Sequence, residues 1–128
     1  MSVSIDVSYG ELIDKITILE IKAARIADPV KLRNVQRELQ LLTAERAAHV
    51  QPAAAVEELT DQLRAVNGFL WAVEDKLREK ERHKLFDAEF IELARDVYRT
   101  NDRRAELKRE LNDLLGSRIV EEKAYRPY

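Results

Sequence analysis

The chain has 128 residues, 45% apolar and 36% charged, with three glycines and three prolines, a profile that suits one ordered helical domain and argues against disorder. Twenty-two basic residues stand against 24 acidic ones, so no basic field drives non-specific nucleic-acid binding. The absence of cysteine excludes disulfides and thiolate chemistry, and His49 and His83 lie too far apart for metal-ligand spacing.

The first residues, MSVSIDVSYG, lack the regions of a signal peptide, and no apolar run approaches the roughly 20 residues needed to cross a bilayer. The cytoplasm is the expected address. Val3, Ile5 and Val7 alternate with polar residues, which suggests a short extended arm over 1–8 that needs a partner. The tail near Ile119 and Val120 or a second subunit would qualify. Ser8-Tyr9-Gly10-Glu11 has the form of a capping box and opens a first helix over 9–27, whose stripe is Leu12, Ile16, Leu19, Ala23 and Ile26. Ile13, Ile18 and Ile21 widen that stripe, so this helix is expected to be the most buried.

Pro29 suits the first turn of a second helix over 30–48, with Leu32, Val35, Leu39 and Leu42 on one face. A linker with Pro52 separates it from a third helix over 54–84. Its seam, Val56, Leu59, Leu63, Val66, Leu70, Val73 and Leu77, is spaced three and four residues apart. The seam gives way to REKERHK, a solvated helix end. Asp87 is a good N-cap for a fourth helix over 88–115, and Gly116 suits the position after its end. Residues 117–128 form an irregular tail in which Tyr125 and Tyr128 are candidate anchors. The expected fold is all-α: a single domain over 1–128, an antiparallel four-helix bundle with a long hairpin of helices three and four. These two helices span roughly 45 Å at 1.5 Å per residue and overhang the shorter pair. Leu85, Phe86 and Phe90 lie on that overhang, so a homodimer is expected.

The seam of the fourth helix is Leu93, Val97, Thr100, Arg104, Leu107, Leu111 and Leu114, with a polar break at Thr100 and Arg104. Folding this helix back on the third about Phe86 and Asp87 sets the break beside NGFLWAVEDKLR at 67–78. A second stripe there runs Arg64, Asn67, Trp71, Glu74 and Arg78. The candidate site is therefore Trp71, Glu74, Asp75, Arg78, Tyr98, Asn101, Asp102 and Arg104. Aromatic walls with convergent polar groups suit a small polar or anionic ligand, and Trp, Tyr and Arg suit a partner protein. The plainer account is a Trp covering the core beside a solvated ion-pair face. If enclosed, Glu74 must pair with Arg104 or Arg78.

No phosphate-binding loop is present. The four acidic pairs at i, i+3 are no more than chance supplies, and the ordered ExxE and ExxD of helical pyrophosphohydrolases is missing. Arg64, Arg78, Arg104 and Glu74 match small helical mutases in composition alone. No metal or other cofactor is implied.

The runs GELIDKITILEIKAARI, LWAVEDKLREKE, FDAEFIELARDVYRTNDRRAELKRELNDLLGS and VEEKAY together resemble a family of small uncharacterised bacterial and phage proteins. The likeness covers nearly the whole chain. It implies no known activity, points to the same eight residues, and implies an association of some members with sugar-transfer or surface-polysaccharide functions. The leading expectation is a non-enzymatic cytoplasmic binding or interaction protein. The alternatives are a small helical enzyme acting on an anionic metabolite, with Glu74 as acid or base, and a structural subunit with an ion-pair network.

Overall fold

The computed structural model describes residues 1–128 and contains four helices and no strand. They are α1 (Tyr9–Arg25), α2 (Pro29–His49), α3 (Ala54–Arg82) and α4 (Ala88–Leu115). Local chemistry sets their ends. The Ser8 hydroxyl accepts the Glu11 N–H at 3.0 Å, which is one half of a capping box. The Glu11 carboxylate goes elsewhere, to Lys108. Helix α1 stops two residues short of the expected end because Ile26 already has extended backbone, with ψ of 126°. Asp28 then caps α2 by accepting the N–H groups of Val30 and Lys31, with Pro29 in the first turn.

The turn from α3 to α4 is closed by the Leu85 N–H donating to the Lys80 carbonyl at 2.9 Å, with Lys84 left-handed at φ 54°. That is the Schellman pattern, carried here by lysine where glycine is usual. Asp87 caps α4 through the Phe90 N–H at 3.0 Å and also binds the Lys80 ammonium at 3.0 Å. The same Schellman closure ends α4: Gly116 has φ 69°, and the Ser117 N–H reaches the Asn112 carbonyl at 2.8 Å.

Helices α3 and α4 pack along each other, α1 packs against all three other helices, and α2 packs against α1 alone. The core forms where α1 meets α3 and α4: Ile13, Val50, Val56, Leu63, Leu107 and Leu111 make one buried cluster. Only Val35 of α2 is buried, since a helix with one neighbour covers only a narrow stripe. Residues 1–7 form neither helix nor strand, and Val3 and Ile5 stay 88% and 76% exposed. The tail offers them no strand, so the alternation at the N-terminus finds no partner within the chain.

At Gly10, α1 touches α4 backbone to backbone. A Cβ there would lie well inside contact distance of the Lys108 carbonyl oxygen, and 3.0 Å from Asn112 Oδ1. Backbone cannot yield as a flexible side chain does. Gly10→Ala is expected to destabilise the fold by about 1–3 kcal/mol, as overpacking does. Urea denaturation checks this; an unchanged midpoint would show that α1 can shift without cost.

Candidate functional site

A buried polar node lies beneath α1. The Asp14 side chain is fully buried, on the helix whose other inward residues are Leu12, Ile13, Ile16 and Leu19. Its Oδ1 accepts from Asn67 Nδ2 on α3 and from Arg104 Nε on α4, each at 2.9 Å. Its Oδ2 accepts from a terminal nitrogen of the same guanidinium. Asn67 Nδ2 also donates to Thr17 Oγ1 at 2.9 Å, and that hydroxyl donates to the Asp14 carbonyl at 2.8 Å. The hydrogen bond to Asp14 holds the Arg104 guanidinium above its ordinary pKa, against the opposing effect of burial.

One turn along α4 the arrangement is repeated with lysine. Lys108 is buried, its ammonium 2.7 Å from Glu11 and 2.5 Å from Glu121 in the tail. Burial pulls Lys108 down, but the hydrogen bonds it donates to Glu11 and Glu121 outweigh this and hold the ammonium above its usual value. The hydrogen bond from Lys108 in turn lowers Glu121. Beside it, the Gly10 N–H donates to Asn112 Oδ1 at 2.7 Å. No buried side-chain nitrogen or oxygen lacks a partner. The buried groups of the node are thus satisfied within the chain, and they fix α1 against α3 and α4.

The eight residues singled out in the sequence fall into separate places. Arg104 belongs to the buried node, and its carboxylate partner is Asp14 on α1. Glu74 pairs with Arg78 on the same helix, with the arginine side chain 71% exposed. Asp75 is exposed, and Trp71 lies half-buried on the same stripe. Tyr98, Asn101 and Asp102 come together in a cleft on α4. Arg104 turns to Asp14 because α1 packs across both α3 and α4 at that level.

That cleft, of about 410 Å³, is walled on one side by Val97, Tyr98, Asn101 and Asp102 and on the other by tail residues Lys123 and Tyr125 to Tyr128. The Tyr98 and Tyr128 rings meet edge to face with centroids 4.8 Å apart. The Tyr128 hydroxyl donates to Asp102 Oδ2 at 2.9 Å, and this bond holds its pKa above the ordinary tyrosine value. Lys123 donates to the Asn101 carbonyl at 3.5 Å and lies 5.6 Å from the Tyr125 ring centre. A second cleft, of about 330 Å³ between α1, α2 and the start of α3, contains Arg46, already bound by Glu57 at 2.7 Å. No group of three or more His, Asp or Glu side chains is placed to hold a metal ion, and no helix is long and apolar enough to cross a membrane.

Fold and site together describe a small helical protein with a closed ionic node and one tyrosine-walled cleft. The chain belongs to a family of unknown function (DUF6165), whose sequence profile matches residues 2–127. No curated protein and no solved structure matches it.

Asp14, Thr17, Lys108 and Glu121 were not among the residues singled out. The available signal was an acid and a threonine interrupting the most apolar helix, ELIDKIT, three residues apart.

Two predictions follow from the node. Arg104→Ala leaves the fully buried Asp14 carboxylate without its cation and is expected to cost about 3–5 kcal/mol in chemical denaturation. A loss below about 1 kcal/mol would mean that water reaches the pair. The second concerns pH. Because Glu121 is lowered in the folded chain, its contribution to holding the tail is present above the ordinary value of 4.5 and is lost as pH falls through the folded value. Protection of residues 118–128 against hydrogen exchange, measured relative to the intrinsic rate at each pH, should therefore fall on acidification, and Glu121→Gln should flatten that dependence.

Proposed function

We propose that this protein is a non-enzymatic binding protein whose ligand site is the cleft between α4 and the tail. The observation that carries this reading is the composition of that cleft: Tyr125, Tyr128, Lys123 and Arg126 on the tail wall, and Tyr98, Asn101 and Asp102 on the α4 wall. Tyrosine faces suit a ring, lysine and arginine suit an anionic group, and the amide and carboxylate suit hydroxyls. The ligand class that combines these is a sugar or nucleoside carrying a phosphate or carboxylate. The sequence resemblance, which implies that some members act beside sugar-transfer functions, favours sugar phosphates and nucleotide sugars within that class.

The remaining features of the reading are a long antiparallel hairpin of α3 and α4 presenting the cleft at one edge, a homodimer, and a bacterial cytoplasmic setting. Catalysis by Glu74 is the weaker alternative, because its carboxylate is engaged by Arg78 and lines neither cleft. A purely structural subunit is favoured by one observation, the fully satisfied node around Asp14.

Thermal melting against sugar phosphates, nucleotide sugars and small carboxylates tests the proposal. A compound at a hundred times its Kd should raise stability by about 2.7 kcal/mol, roughly 8–10 °C in a chain of this size. Tyr98→Ala and Arg126→Ala should each abolish that shift while the unliganded variants still melt cooperatively. A panel with no response, or a shift that both variants retain, would overturn the cleft as the site.

A further inference from the structure

The face of α3 that α1 covers does not end where α1 does. Thr60, Arg64 and Asn67 lie on it, and Arg64 and Asn67 bond to Glu20, Asp14 and Thr17 of α1. Spaced four, three and four residues further on, Trp71, Glu74 and Arg78 continue the same stripe. The hydrogen bonds and ion pairs that α1 makes with the hairpin reach no further than Asn67 on α3 and Arg104 on α4. Beyond those two residues the pair of α3 and α4 receives no hydrogen bond or ion pair from α1, and the tail lies on α4 at Val97, Tyr98, Asn101 and Asp102. The pair ends in an apolar tip, with Leu85 and Phe86 51% and 56% exposed.

The accessible surface carries the second part of the case. The chain exposes 9095 Å². A compact monomer of its 14.8 kDa is expected to expose about 7,000 Å². The excess is roughly 2,000 Å², to which the exposed arm at residues 1–7, the tail and the open helix faces all contribute. Obligate homodimers bury about 1,000–2,500 Å² per subunit, which is the same scale.

We infer that the stripe Trp71, Glu74 and Arg78 of α3 is an interface between two copies of this chain. The inference rests on the homodimer in the reading above and assigns the surface that makes it. A two-fold axis brings a patch against itself, so the patch must be self-complementary. This one carries one acid and one base a single turn apart: about an axis between them, Glu74 of each copy faces Arg78 of the other. Trp71 beside that pair is the residue type that anchors interface centres. The α2 surface lacks this character, since Val30 and Leu41 are isolated among charged and polar neighbours.

Sedimentation of the full chain, with Trp71 emission followed on dilution, tests this. The wild type should sediment at twice the chain mass, and its single tryptophan should shift to the red as the protein dissociates. Glu74→Arg and Arg78→Glu should each weaken the dimer roughly 100-fold. The double exchange should restore it, which a merely damaged fold would not allow. Leu41→Arg on α2 should have no effect. A wild-type monomer at all concentrations would overturn the homodimer and this surface together while leaving the ligand cleft untouched. A dimer indifferent to both single exchanges and to Trp71→Ala would overturn the surface alone.

Discussion

One carboxylate organises this fold. Asp14 is fully buried and receives hydrogen bonds from α3 and α4 at once. An ionised group in that position is tolerable only with its charge matched and its oxygens satisfied. The arginine supplies the charge and two bonds, and Asn67 supplies the third. Meeting both donors fixes where α1 crosses the hairpin, to within about the tolerance of a hydrogen bond. Apolar contacts among Ile13, Leu63 and Leu107 supply most of the burial, but they are non-directional and would accept neighbouring registers. We regard the ionic node as the device that selects one register, a role for which buried polar groups have precedent.

The consequences run outward in chain order. With α1 fixed by Asp14, its first turn is brought against α4 so closely that only glycine fits at position 10. Glu11 is then in reach of Lys108, which turns the usual reciprocal arm of a capping box into an interhelical ion pair. Lys108 recruits Glu121 as its second carboxylate, and the tail is tied to α4 by that contact. Arg109 with Glu122 and Tyr128 with Asp102 extend the tie to the end of the chain. The cleft on α4 exists only because the tail is held there, so the tyrosine-walled site depends at several removes on the carboxylate under α1.

Much of this was legible in the sequence, and the reason differs by feature. The helices are legible because apolar residues spaced three and four apart have one economical conformation, and because Ser8, Pro29, Asp87 and Gly116 each mark an end by local chemistry. The polar break at Thr100 and Arg104 was legible as a place where a buried arginine needs an acid. The identity of that acid was not, because the partner lies 90 residues away on a helix whose crossing direction no local pattern encodes. Pairing α4 with its sequence neighbour α3 was reasonable and gave Glu74 as the candidate. The structure gives Asp14, since a third helix enters the same space. The tail cleft was half legible: Tyr98, Asn101 and Asp102 stood out, whereas the wall opposite them is made by residues without any periodic pattern.

The same geometry explains why Trp71 sits beside acids. A tryptophan facing the core needs apolar neighbours, and a tryptophan facing water needs none. Trp71 has neither setting: it is half-buried, in line with residues that α1 covers but one turn beyond the last of them that bonds α1. Its neighbours Glu74 and Arg78 neutralise each other locally, so the surface around it combines apolar area with balanced charge. Such a surface loses little on desolvation if each charge finds an opposite partner, and it discriminates against surfaces that do not offer one. A helix face built only for water has no use for the tryptophan, and one built only for a core has no use for the ion pair.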